Sequence, residues 1–130
     1  MTKTDFCEAL FLNWLARGTA IPALTGYAAF FTVAPGEAGG GTESTYGSYA
    51  RQPLSAAVFA SPSTGSTITN TSAITFPTNT GASQTIVAIG IFDALVAGNL
   101  LHYHVMSPTI TVNNGDTPRF AAGQFVINED

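Results

Sequence analysis

The spacing of apolar residues changes once, at Pro22, and never changes back. Upstream, Phe6, Leu10 and Trp14 recur at helical spacing, with Cys7, Phe11 and Leu15 on the adjoining face. Downstream, apolar and polar residues alternate in short runs separated by Gly, Pro, Asn and Ser. One helical segment followed only by β-period runs excludes helix bundles and wound α/β folds. The expected architecture is an N-terminal helix followed by an antiparallel β-sandwich, immunoglobulin-like or jelly-roll in style, in one domain spanning 1–130.

The helix is expected over 4–17. Thr4 or Asp5 can cap it, Asp5 with Glu8 approximates a capping box, Arg17 lies in the last turn and Gly18 stands at the C-cap position. Its apolar stripe, widened by Leu12 beside Glu8, is broader than one sheet face needs. Strands are expected at 26–33, 50–59, 66–76, 84–92, 99–106, 108–113 and 117–128, about seven in all. Aromatics on both faces of 26–33 (Tyr27 and Phe31, against Phe30) predict a central strand covered twice. Asn114-Gly115 signals a two-residue hairpin, and 93–98 a longer hairpin loop. The stretch 34–48 carries no period and holds Gly36, Gly39, Gly40, Gly41 and Gly47, so it is expected to be a long loop that orders on a partner.

Charge is scarce. Only 9% of residues are charged, Lys3 is the sole lysine, and the net charge is −4. A surface so weakly defended against association suits a chain that works inside an assembly. Arg17, Arg51 and Arg119 are scattered, which argues against direct nucleic-acid binding. No run reaches the ~18 apolar residues of a membrane span. Cys7 is the only cysteine, so an intrachain disulfide is impossible. Asp5, Glu8 and Asn13 interrupt what would otherwise resemble a secretion signal, so 6–16 reads as mature structure, made in a cytoplasm and used there or in a particle.

No constellation for catalysis, cofactor or metal emerges. His102 and His104 share a strand face, but no third ligand is recruited by spacing, and packed histidines are the simpler reading. There is no G-x-S-x-G elbow and no P-loop. The pairs Glu37/Glu43 and Glu129/Asp130 sit in segments too loose for acid–base work. Cys7, on an apolar helix face, reads as a small hydrophobe. Asn70-Thr71-Ser72 matches a glycosylation acceptor by chance. Tyr46 and Tyr49 are candidates for an exposed aromatic shelf that stacks on sugars. Arg51 and Arg119, isolated cations beside Tyr49 and Phe120, suit stacking on an aromatic or pairing with Glu37, Glu43 or Asp116, anchoring loop to sheet.

The order of elements is itself distinctive: Arg17-Gly18-Thr19-Ala20, an aromatic strand, the loop from Pro35 to Glu43, Gly47-Ser48-Tyr49-Ala50-Arg51-Gln52-Pro53, Gly90-Ile91-Phe92-Asp93-Ala94, Gly98-Asn99-Leu100-Leu101 and the tail from Gly115 to Gly123. Over most of its length this chain resembles short bacteriophage virion proteins usually labelled tail fibre proteins. The resemblance implies a non-enzymatic virion structural protein whose partners are copies of itself, as a homo-oligomer, and other virion proteins. Lacking heptads, repeats or a collagen-like tract, the chain has no means to form an elongated shaft alone. The expectation is therefore a capsid cement or decoration protein that packs on the major capsid protein. The alternative is a tail or baseplate fibre-associated module, and a third reading is a glycan-binding host-recognition domain. Candidate interface residues are Leu12, Trp14, Glu37, Glu43, Tyr46, Tyr49 and Arg51.

Overall fold

A computed structural model describes residues 1–63 and 65–129 and shows a mainly β, sandwich-like, antiparallel fold with one helix. The helix, α1 (Asp5–Arg17), starts where the sequence indicates. Thr4 is its N-cap, accepting a hydrogen bond from the Cys7 N–H, and Gly18 closes it in the left-handed conformation at φ 65°. Since Thr4 is the cap, Asp5 and Glu8 act on the helix dipole from the first turn and do not form a capping box.

Ten strands occur among the described residues: β1 (Thr2–Lys3), β2 (Gly26–Val33), β3 (Thr42–Glu43), β4 (Gln52–Leu54), β5 (Thr67–Thr69), β6 (Ile74–Thr75), β7 (Gln84–Phe92), β8 (Leu100–Val112), β9 (Arg119–Phe120) and β10 (Val126–Asn128). The main sheet runs β1-β8-β7-β2-β3, with β4 also paired to β2. Two short ribbons, β10-β5 and β6-β9, complete the fold. The core lies on one face of the main sheet, where Phe30, Ile86, Ile89, Ile91 and Leu101 meet Ile74, Phe76 and Phe125. Phe30 stacks on Phe76 at 4.0 Å between centroids, and Phe120 meets Phe125 edge-on at 5.2 Å. Phe31, Ala88 and Leu100 bury the opposite face beneath Phe92 and Ala34, so β2 is covered twice, as its aromatics require. Gly90 lies at that crossing. A Cβ there would meet Leu100 Cδ1 and Phe31 Cε2 at 2.8 Å each.

Several expected strands are split or merged. The run 66–76 breaks at Asn70 into β5 and β6, which belong to different ribbons. Asn70 is buried, its Nδ2 donates to the Ser72 and Ala121 carbonyls, and its Oδ1 accepts from the Phe125 N–H. These bonds replace ladder bonds, so the strand cannot continue. Asn79 is a second such post: its Nδ2 donates to the Ala82 and Val112 carbonyls, and its Oδ1 accepts from Gly81 N–H. Its backbone also bonds Asp116 and Gly115. This docking explains why Asn114-Gly115 makes a turn but not the expected hairpin: β8 pairs with β7, and β9 leaves to pair with β6. The run 50–59 is strand only at β4, and 117–128 is strand only at β9 and β10. The two runs 99–106 and 108–113 are one strand, β8, bulged opposite Val87 around Pro108.

The loop 34–48 also departs from expectation, since a single chain orders it. Gly36 and Gly39 close a tight turn on each other, β3 pairs with β2, and Ser44 N–H donates to the Phe30 carbonyl at 2.8 Å. The Glu37 carbonyl accepts from Asp5 N–H, tying the loop to the start of α1.

Candidate functional site

Two places concentrate unusual chemistry. At the first, the loop, the re-entering chain and the β7–β8 turn meet on Arg51, only 7% exposed. Its Nε and Nη2 donate to Glu43 Oε1 and Oε2 at 2.8 and 2.7 Å, a bidentate fork. Its Nη1 donates to the Ala94 and Ala97 carbonyls, both at 2.7 Å, and its Cζ lies 3.5 Å from the Phe92 ring centroid. Tyr49 Oη donates to Glu43 Oε1 at 2.9 Å while accepting from Phe30 N–H at 3.0 Å. Burial pushes the Tyr49 phenol well above its ordinary range, and that of Tyr46 up to about 12. Both phenols therefore stay protonated and act as hydrogen-bond donors. Asp93 closes the turn by accepting from the Asn99 backbone and side chain at 2.6 and 2.8 Å. Nearly every group here is satisfied within the chain. These bonds make it a structural joint between loop, re-entering chain and turn.

The second place is the groove between α1, the connecting segment 18–25 and β8, about 510 Å³ in volume. Leu10, Phe11, Ile21, Leu24 and Leu101 wall it with apolar surface, and Lys3, Cys7, His102 and Glu129 supply polar groups. Glu129 bridges Lys3 Nζ at 2.7 Å and His102 Nε2 at 3.2 Å. Cys7 Sγ lies 3.8 Å from the same Nε2, and the buried His102 Nδ1 has no hydrogen-bond partner among the described residues. A nucleophile–base–orienter relay needs the thiol and the carboxylate on opposite ring nitrogens. Here both face Nε2. Burial raises the Cys7 thiol's pKa and lowers that of His102, the reverse of an activated pair. No group of three metal-ligating side chains occurs among the described residues, and His104 is exposed while His102 is buried.

A family model described as "Podophage GP4 fiber I protein gp80" matches residues 2–128. This chain belongs to that family. No curated protein matches it. The phage fibre family thus bears out the resemblance carried by the loop, the Tyr49-Ala50-Arg51 re-entry and the Phe92-Asp93 turn, which are the elements that meet at the Arg51 joint.

The candidate interface residues separate into three groups. Glu43, Tyr46, Tyr49 and Arg51 come together, but inward. Tyr46 is 3% exposed, its hydroxyl donates to the Pro77 carbonyl, and its ring meets Tyr49 edge-on. An exposed aromatic shelf is therefore absent at these two tyrosines. Glu37 lies apart from them, at the start of α1. Leu12 and Trp14 remain exposed on α1, joined by Phe11 and Leu15, at 49–64%. No residue of α1 is fully buried. Sequence reasoning placed Phe11 and Leu15 on the stripe but missed Phe92 as the stacking partner of Arg51, and Ile21 and Leu24 as neighbours of the helix. Asn70 is consumed by hydrogen bonds, which removes the glycosylation match from consideration.

Proposed function

We propose that this chain is a non-enzymatic structural subunit of a phage fibre, attached to the tail region of the virion, where it packs against copies of itself and other virion proteins. The family match supports the fibre. The observation that carries self-association is the apolar face around α1. Phe11, Leu12, Trp14, Leu15, Ile21 and Leu24 are each 42–64% exposed, and Phe11 and Trp14 pack ring to ring at 5.7 Å.

At about 150–250 Å² per aromatic side chain and somewhat less per aliphatic one, that face leaves on the order of 600 Å² of apolar surface in water. Such an area matches or exceeds the largest patch on a typical monomer, roughly 300–600 Å². It approaches the ~800 Å² per partner of a standard interface. The middle of α1, from Ala9 to Ala16, bears no charge, and Glu8, one turn before Leu12, is the carboxylate at the edge of that face.

The test is the mass of the purified chain by light scattering, with and without Leu12→Glu and Leu15→Glu. Self-association abolished by these changes supports the reading, and an unaltered monomer across concentrations refutes it. Copy number per particle separates fibre from shell. A few copies in a fixed multiple belong to the tail, whereas hundreds in ratio to the capsid subunit would restore the decoration reading.

A further inference from the structure

We propose that residues 1–17, the β1–α1 arm, are exchangeable: in the assembled protein the arm seats on β8 of a second copy, with the contacts it makes here on its own. This rests on the self-association reading and adds how the copies are joined.

The arm is held by a compact latch. Thr4, 2% exposed, donates its backbone N–H to the Leu101 carbonyl at 2.9 Å and its hydroxyl to the Leu100 and Leu101 carbonyls. Asp5 N–H reaches the Glu37 carbonyl at 2.9 Å, and Thr2 and Lys3 pair with Tyr103 and His102. Lys3 also pairs with Glu129. By contrast, the connecting segment 18–25 is barely attached. All its residues are exposed, and its two backbone bonds, from the Gly18 and Thr19 N–H groups, go back to the Asn13 carbonyl of α1. From Ala20 to Thr25 no hydrogen bond is made to any described residue. Ile21 and Leu24 only lean on the groove, at 43% and 42% exposure.

A specific latch on an untethered connector is the arrangement that permits exchange. An identical seat on a neighbour offers identical contacts, so only the connector's effective concentration favours the chain's own seat. Fully extended, 18–25 reaches at most about 26–29 Å, enough to cross to a neighbouring copy packed against the same face.

The experiment uses two full-length chains, one carrying Thr2→Cys and the other Tyr103→Cys, each also Cys7→Ser. Thr2 and Tyr103 are direct antiparallel partners, a separation of roughly 4.5–5.5 Å that a disulfide spans. Co-refolded at equal ratio and oxidised, they are expected to give a covalent heterodimer as the main product. The double variant Thr2→Cys/Tyr103→Cys should shift from internal bond to covalent dimer as concentration rises. An internal bond at every concentration, with no heterodimer from the mixture, overturns the proposal. A chain lacking 20–23 gives an independent readout: its shortened connector should make it dimeric when dilute, and a stable folded monomer overturns the proposal equally. If Leu12→Glu leaves self-association intact and the heterodimer still forms, the exchange stands and the apolar-face reading fails. The reverse pattern keeps that reading and removes the exchange.

Discussion

Replacing Arg51 with Lys keeps the charge and removes most of what the guanidinium does. Lysine can hold one oxygen of Glu43, but it cannot also supply the second tine of the fork, the bonds to the Ala94 and Ala97 carbonyls and the face over Phe92. Water re-solvates the two turn carbonyls in part, so the loss is smaller than the four bonds suggest. An expected destabilisation of about 2 kcal/mol follows from about 1.5 kcal/mol for the lost tine of the fork and about 0.5 kcal/mol for the stack, the low ends for a charged hydrogen bond and a cation–π contact. For a domain of this size that lowers the melting temperature by about 6–8 °C. Arg51→Met should cost more, about 3 kcal/mol, because it strands the Glu43 carboxylate. That figure sits at the low end for a broken pair because the Glu43 side chain is 27% exposed. Adding Glu43→Gln to Arg51→Met should recover at least about 1 kcal/mol. Denaturant titration followed by far-ultraviolet circular dichroism measures each value. Trp14 fluorescence is a poor substitute, since that ring is half exposed on α1. If Arg51→Lys stays within ~0.5 kcal/mol of the parent, with unchanged amide exchange at 94–99, the joint does not hold the fold and the reasoning fails.

Thr4→Val keeps the shape of the side chain but removes the cap and the hydroxyl bonds to β8, so the arm should loosen by about 1–2 kcal/mol. Hydrogen exchange at 2–17 should rise while β7 stays protected. Asn79→Ala leaves the Gly81 N–H and the Ala82 and Val112 carbonyls without their partner, costing about 2–4 kcal/mol in a denaturant titration. His102 has its pKa lowered by burial, which outweighs the pull of Glu129. Between the lowered folded value and the ordinary ~6.5, the unfolded chain binds more protons, so stability rises with pH. The contribution is therefore complete above about pH 6.5 and is lost as pH falls toward the folded value. His102→Gln should flatten that slope in melting curves from pH 7 to 5, and an unchanged slope would show that another group causes it.

What could be read from the sequence is what neighbours in sequence decide. The limits of α1 follow from Thr4 at one end and Gly18 at the other, because caps act within one turn. The double burial of β2 follows from aromatics on both of its faces. The anchoring of a loop through Arg51 and Glu43 was among the pairings the sequence allowed, eight positions apart. Tertiary structure alone decided the rest. Phe92 lies under Arg51 only because β7 pairs with β2 and its turn folds back over the joint. Asn70 and Asn79 look like ordinary turn residues until chain from more than thirty positions away reaches their amides. The exposure of α1 could not be read either. An apolar stripe shows that a helix must bury a face, but the surface that buries it depends on where β8 and the connector lie, and here they cover only Cys7, Leu10 and Asn13 in part. Local patterns specify elements through short-range sterics and hydrogen bonds. Which elements meet is settled by contacts whose closure entropy no local pattern records.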